Sequence, residues 1–151
     1  MIERIFTRLS VTGTTQEHQT VRVMAGAGIE GDRYFGRHDE PGQNITLIEV
    51  EVLERFNAEH GTQHDPSLAG RNLVTRGVRL NDWLGKEFTV GSVRLRGVEL
   101  CEPCLGFGEA LASTELAPPQ VVKHFVNKGG LRADVLSTGE ISVGARVAGA
   151  A

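Results

Sequence analysis

Two thiols three residues apart, Cys101 and Cys104, are the only cysteines in the 151-residue chain. They stand in Glu99-Leu100-Cys101-Glu102-Pro103-Cys104-Leu105-Gly106, just past a predicted strand, which places sulfur at the rim of a sheet. Four chemistries compete for the pair. A structural zinc ion needs four ligands, and the chain adds only His60 and His64, four apart near the end of a predicted helix. A dithiol–disulfide couple finds support in the order strand, C-x-x-C, helix, but no βαβ unit is read ahead of it. A nucleophilic or sulfur-carrying thiolate needs cations from other loops, because Glu99 and Glu102 disfavour negative sulfur. Two inert, buried thiols are the fourth reading, and spacing alone does not choose among them.

Arginine supplies thirteen of the sixteen basic residues, so guanidinium forks are the cations on offer. Arg33, Arg37, Arg71 and Arg76 fall in or beside glycine-rich loops, where a fork can hold phosphate or carboxylate, although each one singly reads as solvated surface. Gly28 to Arg33 (GIEGDR) lacks the glycine register of a dinucleotide loop and the Gly-Lys-Ser/Thr of a P-loop, so Asp32 and Arg33 read as a loop-stabilising pair. His18, His38, His60, His64 and His124 have no serine or cysteine at a diagnostic spacing, and no catalytic histidine is assigned.

The elements that must position these groups are short. Ile2 to Val11 and Val21 to Met24 alternate as strands around a polar stretch from Thr12 to Thr20; Ala25 to Gly42, with five glycines, reads as a long polar loop. Asn44 to Ile48 reads as a strand and Glu49 to His60 as a helix stopped by Gly61. Arg71 to Thr75 and Glu87 to Val90 are β-like, and Gly91-Ser92 turns the latter into Val93–Leu100 as a hairpin. Phe107 to Ser113 makes a helical turn or two. Pro118 to Lys128 carries Val121, Val122, Phe125 and Val126 at helical spacing up to Gly129-Gly130. Leu131–Leu136, Glu140–Val143 and Arg146–Ala148 read as a closing β-meander. About eight strands and two or three helices, without strand–helix alternation, predict a mostly β, antiparallel barrel-like domain with peripheral helices over residues 1–151.

Size and charge narrow the function. One domain of this length buries about 70% of its unfolded surface, and 40% hydrophobic residues fill such a core without metal or disulfide. A net charge of −3 opposes a phosphodiester backbone, so no nucleic-acid partner is expected. No apolar run is long enough for a membrane span, and Met1 leads into IERIFTRLSV without a signal h-region, so a soluble cytoplasmic protein is expected.

Three segments together, GIEGDRYFGR, then GRNLVTRGV with LNDWLGKEFTVGSVRLRGVELCEPC, then GGLRADVLSTGEISVGARV, resemble the MOSC domain, the module named for the C-terminus of molybdenum cofactor sulfurases. The match runs from about Gly28 to Val147 in the same order and with similar gaps. The resemblance implies a β-rich barrel with a characteristic cysteine after a proline, here Cys104, which carries persulfide sulfur or touches the molybdenum of a pterin cofactor, molybdopterin. It further implies that Asp32 and Arg33 of GDR, with Arg71 and Asn72 of GRNL, surround an anionic ligand such as the cofactor's phosphate. Glu102 departs from the basic residue that many relatives carry before the proline. The family's sulfurases are pyridoxal phosphate-associated. For a stand-alone module the resemblance implies a sulfur donor in trans such as a cysteine desulfurase, with Cys101 open as a resolving thiol. A small C-x-x-C redox protein and a pterin-sheltering module with inert thiols are the alternatives.

Overall fold

Strand β5 (Ile45–Glu49) is buried on both faces along Ile45 to Ile48, and the fold is arranged around that fact. Alternating side chains of a strand point to opposite faces. Ile45 and Leu47 therefore join one hydrophobic cluster, and Ile48 joins another with Val74 of β6 (Leu73–Thr75). The computed structural model describes residues 1–10, 12–37 and 39–149, so Val11 and His38 of the sequence reading lie outside the described residues.

Among the described residues the remaining strands are β1 (Ile2–Arg8), β2 (Thr15–His18), β3 (Thr20–Met24), β4 (Gly28–Ile29), β7 (Glu87–Val90), β8 (Val93–Leu100), β9 (Leu131–Val135), β10 (Gly139–Ser142) and β11 (Val147–Gly149). The helices are α1 (Val50–His60), α2 (Leu105–Leu111) and α3 (Pro118–His124), with single 3-10 turns at Pro66–Ala69 and Leu80–Trp83. Eight strands form one sheet in the order β11-β7-β8-β9-β5-β6-β1-β2, and β10-β3-β4 form a second. The backbone of Ile2 in β1 exchanges hydrogen bonds with Gly144 and Ala145, just before β11, at 2.7 and 2.8 Å. The large sheet thus curls into an open half-barrel, as the expected mostly β, barrel-like class requires. Val21, Val23, Ile29 and Ile141 of the small sheet share the interior cluster with Leu47, Phe88 and Leu95 of the large one. The second cluster lies where α1, α2 and α3 contribute Phe56, Phe107 and Phe125 against Phe6, Ile48 and Val74.

Five local expectations need correction, the first being that Ala25 to Gly42, read as a polar loop, contains the short buried strand β4 paired with β3. The C-terminal runs do not form a meander: β9 pairs with β5 and β8, β10 with β3, and β11 with β7. Their short lengths fit a meander, but their apolar residues are needed in three different places around the barrel. A parallel crossover does exist, β5–α1–β6, ahead of the cysteines. The polar stretch Thr12–Thr20 holds β2, an edge strand without apolar alternation, whose Glu17 side chain is bound by Arg4 of β1 at 2.8 Å. Helix α3 ends at His124, short of Gly129-Gly130, and Asn127 makes the left-handed turn at φ 64°.

The glycine pair has a different task. A Cβ on Gly129 would collide with the carbonyl oxygen of Cys101, and one on Gly130, where φ is 109°, with the carbonyl oxygen of Leu47. Gly130→Ala is expected to cost at least about 2 kcal/mol and lower the melting temperature by roughly 5 °C or more. Gly36→Ala, at φ 82° but with open space around it, is expected to cost about 1 kcal/mol. Thermal denaturation of the two variants beside the parent checks the difference.

Candidate functional site

Strand β8 carries a register break between Gly97 and Glu99, after which Glu99 pairs with Arg132 and Leu100 with Leu131 of β9. Cys101 extends this ladder by one bond, its N–H donating to the Gly130 carbonyl at 2.7 Å. The chain then leaves the sheet through Glu102 and Pro103. Cys104 caps α2 with extended backbone (φ −96°, ψ 175°). The two thiols consequently differ: Cys101 is 1% exposed, and Cys104 is open to solvent. Burial pushes the Cys101 thiol above the ordinary range, and the charges of Arg71 and Arg132 oppose that shift without overcoming it.

Arg71 reaches the same backbone from the other side. Its Nε donates to the Gly129 carbonyl at 2.9 Å, Nη1 to the Ala69 carbonyl at 3.4 Å, and the guanidinium lies 5.0 Å from the Phe107 ring centre in α2. Its Nη2 is buried and has no hydrogen-bond partner. Buried donors are seldom left unsatisfied, and among the described residues this one has no acceptor. Arg71 lines a narrow cleft of about 10 Å³ with Arg8, Arg33, Thr15 and Asn72. In this conformation the cleft admits about one water.

The other residues named by the resemblance support this cleft. Asp32, whose side chain is fully buried, accepts from the N–H groups of Arg8 at 3.0 Å and Tyr34 at 3.3 Å and pairs with Arg33 Nη1 at 3.5 Å. Arg33 Nη2 donates to the Gly70 carbonyl at 3.1 Å, and its guanidinium stacks 4.3 Å from the Tyr34 ring centre. Asn72 donates from Nδ2 to the Phe6 carbonyl at 3.1 Å, while its Oδ1 accepts from the Thr46 backbone and hydroxyl at 3.0 and 3.1 Å. Asp32 and Asn72 thus hold backbone in place, and Arg33 and Arg71 face the cleft. Arg37 instead lines a neighbouring cavity of about 330 Å³ with Tyr34, Glu99 and Arg132, within the size range of small-ligand sites. Arg76 is committed elsewhere, binding Glu3 at 2.5 Å and Glu54 at 3.1 Å. A further cavity of about 460 Å³, between α1, the Leu80–Trp83 turn and Asn127–Lys128, includes none of these residues.

Sequence reasoning missed Arg8, Tyr34 and Arg132. Arg8 and Arg132 sit in strands read as ordinary alternation, and only the pairing of β1 and β9 with distant segments brings them to the site. The short paths from Cys101 to Gly130, from Gly129 to Arg71 and from Arg71 to the cleft join four segments far apart in sequence.

A family model of the MOSC domain matches residues 35–148, about three quarters of the chain. The chain belongs to the MOSC domain family. Its fold is similar to that of the YuaD protein from Bacillus subtilis, with a TM-score of 0.83 at 19% identity, over 97% of this chain and 92% of that one. It is also similar to YiiM from Geobacillus stearothermophilus (TM-score 0.74, 17% identity, 100% of this chain and 75% of that one). For YiiM from Escherichia coli the TM-score is 0.66 at 16% identity, over 98% and 70% of the two chains. No curated protein matches the chain. This MOSC domain has no described helix long and apolar enough to cross a membrane. Nothing in these matches supports the pyridoxal phosphate association.

Two outcomes follow from this geometry. In the native protein a thiol reagent at neutral pH is expected to label Cys104 and spare Cys101, with the second thiol reacting only on unfolding; thiol counting before and after denaturant checks it. The second concerns Asp65, which opens the turn leading to Gly70–Asn72. The Arg4 guanidinium, 2.8 Å away, together with Ser67 holds its carboxyl at about 2, below the usual value. A lowered pKa stabilises the fold above the ordinary carboxylate range, and the gain is lost as pH falls toward 2. Parent and Asp65→Asn are therefore expected to differ by up to about 1 kcal/mol at pH 7, the pair being half exposed, and to converge near pH 2. Denaturant titrations of both proteins across that range measure the gap.

Proposed function

We propose that this MOSC domain binds an anionic pterin ligand of the molybdenum cofactor type and carries sulfur on Cys104. The unpartnered, buried Nη2 of Arg71 in a cleft shared with Arg8 and Arg33 carries the reading. Guanidinium forks suit phosphate oxygens, and a donor already stripped of water gains a full hydrogen bond when an acceptor arrives. The donor set therefore fits the phosphate of such a group. Arg33 and Arg71 neutralise the charge, Asp32 and Asn72 fix the loops that present them, and the cleft opens from its narrow form to admit the ligand. Bound there, the cofactor would supply oxygen-atom or sulfur chemistry at molybdenum; Cys104 is not among the residues that line the cleft, and its role in the proposal is to carry sulfur.

Sulfur loading needs only a persulfide donor in trans, for which a cysteine desulfurase has the right chemistry. The Cys104 thiolate attacks the outer sulfur of R–S–S–H, the Sγ–S bond forms as the donor's S–S bond breaks, and the donor leaves as its thiolate. Exposure of Cys104 permits that attack, whereas Cys101 is too buried to meet a protein donor.

Incubation with a persulfide-loaded desulfurase is expected to add one sulfur, about 32 Da, to the parent and none to Cys104→Ser, read by intact mass. An unmodified Cys104 that still reacts with a thiol reagent would sink the carrier role. Protein purified from a cofactor-producing host is expected to release a fluorescent oxidised pterin that Arg71→Leu lacks. Pterin bound equally by Cys104→Ala, with no sulfur transfer to the parent, would leave a sheltering module in place of a carrier.

A further inference from the structure

Two of the histidines left unassigned by sequence spacing, His60 and His124, come together on the helical side of the sheet. His60 closes α1 and His124 closes α3, and their rings lie 5.4 Å apart, edge to face, against Phe56 at 4.8 and 5.1 Å. Glu59 faces the same point, with Oε2 3.8 Å from His124 Nδ1. One donor atom from each of Glu59, His60 and His124 lies within 4.8 Å of the others. Packing alone would explain two histidines beside a phenylalanine, but it leaves the Nε2 of His60 buried with no hydrogen-bond partner.

We propose that Glu59, His60 and His124 form a binding site for a zinc-class divalent transition metal, clasping α1 to α3. Two imidazoles and one carboxylate are a donor set that selects zinc and its neighbours over magnesium or calcium, and three protein ligands leave a position for water. Donors around a tetrahedral zinc stand about 3.4 Å apart, so the group must close by roughly an ångström, which the exposed Glu59 side chain can supply. His64 stacks on Phe56 at 6.1 Å but is not in the donor group. The zinc reading from the sequence paired His60 with His64 and the two cysteines; the structure pairs it with His124 and Glu59 instead.

The test uses the untagged full chain, stripped with chelator and titrated calorimetrically with zinc chloride, alongside His60→Gln, His124→Gln, Glu59→Gln and Cys104→Ser. One equivalent is expected to bind to the parent and to Cys104→Ser alike, with affinity at least about tenfold weaker in each of the other three variants. Cobalt(II) in place of zinc is expected to give visible d–d bands without the near-ultraviolet band of a cobalt–thiolate bond. Zinc is also expected to raise the melting temperature of the parent but not of His124→Gln. Absence of binding at up to about millimolar zinc, or binding lost in Cys104→Ser and kept in Glu59→Gln, overturns the site. Glu59 is exposed, so its variant remains informative if a histidine variant fails to fold.

Discussion

Two backbones can touch only where neither carries a side chain in between, and Gly129-Gly130 meets that condition twice in succession. Gly129 lies against the Cys101 carbonyl and Gly130 against that of Leu47, so a single dipeptide is wedged between the cysteine segment and the central strand. The hydrogen bonds on either side depend on that contact. Cys101 donates to Gly130, and Gly129 accepts from Arg71. Any Cβ at this point would push the thiols, the arginine loop and the sheet apart together. The conformational entropy that two glycines lose on folding is the cost of this arrangement, and it is offset by the ladder and the charge-assisted bond they permit.

From this wedge the electrostatics of the site become intelligible. The chain is acidic overall, with a net charge of −3, yet Arg8, Arg33 and Arg71 meet in one cleft. Like charges gathered in a half-buried space repel, and the fold offsets that repulsion with dipoles aimed at the guanidinium groups. Arg71 takes the carbonyls of Gly129 and Ala69, Arg33 takes that of Gly70, and the buried Asp32 carboxylate stands beside Arg33. Among the described residues one buried Arg71 nitrogen is left without an acceptor.

How much of this could be read from residues alone divides along a physical line. Local signals were legible: the α1 stop at Gly61, with φ 62° and its N–H on Asn57, and the Gly91-Ser92 hairpin, whose strands pair from Val90 with Val93 to Glu87 with Arg96. The barrel class followed from many short strands, and the MOSC resemblance singled out Arg33 and Arg71. Illegible were features decided by partners far away in sequence. Thr15–His18 becomes a strand only because β1 offers an edge, and the three C-terminal runs separate because each completes a different ladder. In the sequence the glycine pair reads as a helix stop, since a one-dimensional reading sees the missing side chain and not the carbonyl that occupies its place. His60 and His124 are 64 positions apart in number, and only the packing of α1 and α3 on Phe56 makes them neighbours.

The inequality of the two cysteines bears on chemistry more than their spacing does. In a C-x-x-C couple the exposed sulfur attacks and the buried one resolves, so the inequality by itself fits a couple as well as a carrier. Here burial raises Cys101 despite two arginines nearby, and its backbone is fixed in the ladder by the Gly130 carbonyl. Cys104, next after Pro103 and outside the sheet, instead opens α2, its carbonyl accepting from the Gly108 N–H at 3.0 Å while its side chain is exposed. The same wedge that steadies the arginine cleft therefore holds the Cys101 backbone in the ladder, and the chain reaches Cys104 only after it has left the sheet.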